Sequence, residues 1–149
     1  MNYFYKTPID YLVITLDEEG LVLAASLEKN IGQSREIHGG IKKELDDYFI
    51  YKKDLSMKYV SKEIAGTSYQ KKVWGAIAKI PFGKTATYKE LAIKLGDENG
   101  ARSLGTACGK NPLALFIPCQ RVVRTSGEDF GYSWGKDRKK WLLEFEKGK

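Results

Sequence analysis

The sequence predicts two small units in series, an α/β unit over residues 1–62 and a mostly helical unit over 63–149. Three observations predict this. Apolar and polar residues alternate on both sides of Glu18-Glu19-Gly20, as in a β-hairpin. Ile37, Ile41, Leu45, Tyr48 and Phe49 then recur at helical spacing. From Gly66 onward, capping residues, apolar stripes and glycine stops succeed one another at the intervals of short helices.

The elements follow in order. "YLVITLDEEGLVLAASL" gives the hairpin, with Gly20 in its turn. "SREIHGGIKKELDDYFI" gives a helix whose start is weakened by Gly39-Gly40. "DLSMKYVSKEI" reads as an extended connection. Thr67 or Ser68 caps the next helix, whose apolar face is Val73, Trp74, Ile77 and Ile80 and which Pro81 and Gly83 stop. Thr87 caps "YKELAIKLG", with Leu91, Ala92 and Leu95 inward and Gly96 at its end. The turn Asp97-Glu98-Asn99-Gly100 leads to "ARSLGTACGK", and the pair reads as a helix-turn-helix. "ALFIPCQRVV" is apolar and short, and reads as a buried strand-like segment. "DRKKWLLEFEKG" closes the chain as a helix with Trp141, Leu142 and Phe145 inward.

Composition narrows the function classes. The chain has 149 residues and a formal net charge of +6, and residues 101–149 hold ten basic side chains against five acidic ones. Lys110, Arg121, Arg124, Lys136, Arg138, Lys139 and Lys140 are candidates to meet phosphates. In "ARSLGTACGK" Ala101, Ser103, Gly105, Thr106, Ala107 and Gly109 are all small. They suit either tight helix packing or close approach to a narrow nucleic-acid groove, with Arg102 the one long side chain at the start. No apolar run is long enough for a membrane span, and no export signal is read at the start, so a cytoplasmic monomer is expected, nuclear in a eukaryote. Two cysteines, Cys108 and Cys119, and one histidine, His38, have neither disulfide-framework nor metal-ligand spacing. No metal and no cofactor is expected. Cys108 reads as a structural residue, and His38 as a surface or helix-start residue.

"GTSYQKKVWGAIAKIPFGKTATYKELA", "ARSLGTACGKNPLALFIPCQRVV", "GYSWG" and "WLLEFE" resemble, in order and spacing, the O6-alkylguanine-DNA alkyltransferase family. The resemblance implies a ribonuclease-H-like first domain and a winged-helix-like DNA-binding second domain. It implies direct-reversal repair: an alkyl group moves once and irreversibly from O6-alkylguanine, or O4-alkylthymine, in double-stranded DNA to Cys119. By the same resemblance, Arg102 fills the gap left by an extruded nucleotide and Tyr88 donates to guanine N3. Asn111 links the recognition helix to the active-site segment. Val122 and Cys119 offer carbonyls to the guanine amino group, Ser133 its N–H to O6, and Tyr132 and Trp134 wall the pocket. Glu146 ends a hydrogen-bond relay. Ala101, Ser103, Thr106, Lys110, Arg121 and Arg124 complete the expected DNA contacts.

The chemistry asks for these groups. The thiolate, not the thiol, attacks the alkyl carbon, and a positive neighbour such as Arg121 would favour it. The purine leaves as an anion unless a donor such as Tyr88 meets it. The target atom lies inside the stack, so the base must swing out. One position departs from the family, which carries histidine directly after the cysteine; this chain has Gln120. An amide can hold a water but cannot take up a proton. A slowed alkyltransferase, a lesion-sensing binder without catalysis, and an introduced substitution all fit that departure.

Overall fold

A computed structural model describes residues 2–97, 100–126 and 132–148. The chain divides into two compact units: Met1–Ala65 with Pro112–Phe116, and Gly66–Asn111 with Ile117–Lys149.

The first unit is a mixed four-stranded sheet with one long helix. β1 (Asn2–Lys6), β2 (Tyr11–Leu16), β3 (Val22–Glu28) and β4 (Arg35–Glu36) lie in the order β3-β2-β1-β4. β1, β2 and β3 pair antiparallel, and β4 joins β1 in parallel. The expected hairpin is β2–β3. Its turn is held by the Asp17 carboxylate, which accepts from the N–H groups of Glu19 and Leu21, each at 2.9 Å. Gly20 takes φ 83° there, a region that costs glycine little. α1 (Gly39–Tyr51) begins at the glycine pair and buries Ile41, Leu45 and Tyr48 on one face. The exposed His38 is its N-cap residue. Tyr5 of β1 ties to α1 through a 2.7 Å bond from its hydroxyl to Asp46. The connection read as extended contains a 3-10 turn, Met57–Tyr59, capped by Ser56.

The apolar run "ALFIPCQRVV" is buried but is not a strand throughout. Leu113 bridges Ala25 of β3, flanked by bonds from Ala25 N–H to Pro112 C=O and from Ala114 N–H to Ala25 C=O, both 2.9 Å. Leu115 then turns the chain at φ 72°, which ends regular pairing. Cys119–Arg121 form a 3-10 turn, and only Val122–Val123 make a strand, β6.

The second unit is mostly helical. α2 (Ser68–Ala78) buries Val73, Trp74 and Ile77, and α3 (Tyr88–Lys94) buries Leu91 and Ala92. α4 (Ala101–Gly109) and α5 (Lys136–Glu146) complete the set. Capping boxes open two of them: Thr67 with Gln70 for α2, and Thr87 with Glu90 for α3. Trp74 locks α2 to α4 by donating its indole N–H to Ala107 C=O at 2.9 Å. A short parallel sheet pairs β5 (Ala86–Thr87) with β6, Ala86 beside Val122 and Thr87 beside Val123. Glu98 and Asn99 of the expected turn between α3 and α4 lie outside the described residues.

The capping box at Thr87 sets where α3 starts and therefore where Tyr88 stands. Thr87→Ala should lower stability by about 1 kcal/mol in urea unfolding, since it leaves the Glu90 N–H without its cap. An unchanged midpoint would mean that packing alone fixes this helix start.

Candidate active site

Cys119 opens the 3-10 turn that follows Pro118. It is 4 % exposed. Asn111, just past the end of α4, donates from Nδ2 to the Cys119 sulfur at 3.2 Å and to the Ile117 carbonyl at 2.8 Å. One amide thus holds both the sulfur and the backbone that carries it. On another side the sulfur faces the Cys108 carbonyl at 3.8 Å. The Cys119 thiol is pushed well above its ordinary range, first by a hydrogen bond with the Cys108 side chain, then by burial and by the charge Cys108 would carry. The Asn111 bond and the positive charge of Lys139 act the other way.

The two residues after the cysteine are as buried as it is. Gln120 is wholly inaccessible and donates from Nε2 to Glu146 Oε2 at 2.9 Å. Its Oε1 finds no hydrogen-bond partner among the described residues. Arg121 is not a phosphate-facing side chain, contrary to expectation: it is 2 % exposed. Its Nε and Nη2 grip Glu146 at 2.8 and 3.1 Å, its Nη1 donates to Ile80 C=O at 2.6 Å, and its guanidinium sits 5.6 Å from the Phe82 ring centroid. A cation neutralised by a two-point carboxylate clamp cannot serve a distant phosphate. Nor is Arg121 the cation that favours the thiolate. That cation is Lys139, which was expected to meet phosphate and, like Arg121, is instead buried. It is 1 % exposed, and its Nζ donates to Val122 C=O at 2.6 Å.

Residues 127–131, which include Gly131 of "GYSWG", lie outside the described residues. Tyr132 is buried, with its ring 5.4 Å from that of Trp134 in an edge-to-face contact. Burial, then the charges of Cys119 and Glu146, push its phenol well up. Its hydroxyl has no hydrogen-bond partner among the described residues. Ser133 is exposed and donates its hydroxyl to Gly109 C=O at 2.8 Å. Val122 C=O already accepts from Lys139, which leaves one lone pair for another donor. Arg138 donates to Trp134 C=O at 3.3 Å, while Lys136 and Lys140 are exposed.

Of the expected nucleic-acid residues, Tyr88 opens α3, Ala101, Arg102, Ser103 and Thr106 lie on α4, Lys110 follows its end, and Arg124 follows β6. Ala101, Arg102, Ser103, Thr106 and Lys110 are all exposed. Tyr88, Ala101, Arg102, Gly105, Thr106 and Arg124 line, with Lys89, Thr125 and Ser126, a cavity of about 730 Å³. Cys119 is not among its lining residues. The small residues of α4 serve both readings at once: Leu104, Ala107 and Cys108 are buried, and Ala101, Ser103 and Thr106 face outward.

Two contributors were missed in the sequence. Lys139 falls on the same stripe as Leu142 and Glu146, at spacings of three and seven, and that placement was readable. Cys108 shares the buried stripe of Leu104, but its approach to Cys119 depends on the fold. No helix among the described residues is long and apolar enough to cross a membrane, and among them no three metal-ligating side chains cluster.

Residues 68–148 match the family model described as 6-O-methylguanine DNA methyltransferase, DNA binding domain. A relative from Acanthamoeba polyphaga mimivirus is 47 % identical over 85 residues, 57 % of this chain and 56 % of its own length. That match spans little more than half of the viral protein. A methylated-DNA–protein-cysteine methyltransferase of Methanosarcina acetivorans is 33 % identical over 151 residues, 95 % of each chain. The crystal structure of Mycobacterium tuberculosis OGT in complex with DNA superposes with a TM-score of 0.83 at 30 % identity, covering 99 % of this chain and 93 % of that one.

The Arg121–Glu146 pair is buried on both sides, so removing one partner strands a charge. Glu146→Gln should cost about 3 kcal/mol in chemical unfolding. A cost below about 1 kcal/mol would mean that the turn bearing Cys119 does not rely on this pair.

Proposed function

Because the chain belongs to the 6-O-methylguanine DNA methyltransferase family, we propose that it repairs O6-alkylguanine in duplex DNA by taking the alkyl group onto Cys119. In this reading the first unit, which the expected boundary at 62 and 63 made three residues too short and left without Pro112–Phe116, is ribonuclease-H-like, and the second is winged-helix-like. α4 approaches the minor groove, and Arg102 enters the stack as the damaged nucleotide leaves it. The swung-out base meets Tyr88 at N3, the carbonyls of Cys119 and Val122, and the Ser133 N–H, between Tyr132 and Trp134.

The transfer itself is a displacement. Cys119 gives up its proton to solvent, its sulfur forms a bond to the alkyl carbon, and the carbon–O6 bond breaks. The electron pair stays on the purine, where the Tyr88 hydroxyl meets the charge. The thioether has no easy leaving route, so each molecule acts once. The observation that carries the reading is the sulfur itself, gripped by Asn111 at 3.2 Å and beside the buried charge of Lys139. Lys139 also supports the Val122 carbonyl, so one ammonium serves both the nucleophile and the base-binding edge.

Gln120 alters the activation step. It donates to Glu146 and has no basic atom to receive the thiol proton. Thiolate formation therefore leans on Asn111 and Lys139, against burial and Cys108. The protein is a slowed alkyltransferase in consequence.

Incubation with duplex DNA holding O6-methylguanine should give a protein one methyl group heavier, with the modification on Cys119 by peptide mass spectrometry. Cys119→Ser should stay unmodified. Lesion-selective binding with no adduct would overturn the transferase reading in favour of a non-catalytic sensor.

The thiol is pushed up, so its reactive form is scarce at neutral pH and grows about tenfold with each pH unit. The single-turnover rate should climb throughout the range from about pH 6 to pH 9. Gln120→His should raise the rate at neutral pH and flatten that climb. A rate level across the range, and indifferent to the substitution, would remove thiol ionisation from the limiting step.

A further inference from the structure

Tyr88 and Arg124 are brought together by the short parallel sheet. Its last pair is Thr87 with Val123, and one residue further along each chain stand Tyr88 and Arg124. The Arg124 guanidinium carbon lies 6.0 Å from the centroid of the Tyr88 ring. Tyr88 is fixed from its own side by the Thr87–Glu90 capping box, as the first residue of α3. Gly105 of α4 lies beside the ring, where a Cβ would stand 3.7 Å from Tyr88 Cε1, an ordinary contact. Both residues line the same cavity as Arg102. Arg124 is exposed, whereas Arg121 three residues earlier is buried against Glu146.

From this geometry we propose that Arg124 is a positioning residue for alkyl transfer: its guanidinium, set over the Tyr88 ring, holds the ring in the cavity and strengthens the phenol as a hydrogen-bond donor. The proposal rests on the alkyltransferase reading and deepens it. A cation over an aromatic face is drawn to the ring's negative quadrupole, which restricts the ring's motion. A positive charge beside a phenol also polarises its O–H toward donation, which is what a purine leaving with a negative charge requires. Arginine suits the task because its planar group stacks and keeps its charge throughout the pH range in which the thiol titrates.

The rival role for an exposed arginine beside a cavity of this kind is simple phosphate contact. Free O6-benzylguanine separates the two, because it carries no phosphate. With that substrate, Arg124→Ala should slow adduct formation on Cys119 on the order of fivefold, and Arg124→Lys should recover part of the loss. In a Tyr88→Phe background Arg124→Ala should cause no further slowing, since the hydroxyl through which it acts is gone. Full reactivity of Arg124→Ala toward the free base, with weakened duplex binding, would reduce Arg124 to a phosphate contact. A loss that multiplies undiminished on top of Tyr88→Phe would also overturn the proposal. A parent protein that forms no adduct with any substrate would instead fell the alkyltransferase reading, and this inference with it.

Discussion

The clamp between Arg121 and Glu146 is the constraint on which the reactive turn depends. Both side chains are out of water, so each needs the other to avoid a stranded charge. The guanidinium uses its remaining reach on the Ile80 carbonyl beyond α2, and the carboxylate uses its own on the Gln120 amide. The 3-10 turn is thereby pinned between the end of α2 and the end of α5. Cys119 is the first residue of that turn and inherits its position. Replacing the pair by apolar residues could fill the same volume, but nothing apolar would also satisfy the Ile80 carbonyl and the Gln120 amide.

The electrostatics at the sulfur are a contest in which the unfavourable side prevails. Burial and the neighbouring Cys108 disfavour a negative sulfur, and Asn111 and Lys139 favour one. Arg121 stands next in sequence and contributes little, because its charge is already spent on Glu146. Lys139, whose Nζ donates to the neutral Val122 carbonyl, is the cation whose charge acts on the sulfur.

Much of this arrangement was legible in the sequence. The β2–β3 hairpin announces itself by alternation around a glycine that takes positive φ, and α2 and α3 by capping residues that the structure uses as caps. β1 and β4 were not legible. β1 is only partly buried, so its residues lack a clean two-residue period, and β4 is two exposed residues held by backbone pairing. "ALFIPCQRVV" misled because an apolar run does not reveal where the backbone turns, and Leu115 turns it. The buried cations misled for a different reason. Charge type predicts exposure, and the partner that reverses the prediction for Arg121 lies 25 residues further along.

The clamp also bounds how far the C-terminal end could be shortened. Glu146 is the last residue of α5, so a chain cut after it keeps the whole clamp, and a chain cut just before it keeps every side chain that bears on the sulfur. The second truncation would still leave a buried guanidinium without its counter-ion. Two products differing by one residue should therefore part company in folding, although neither has lost an atom that touches the nucleophile.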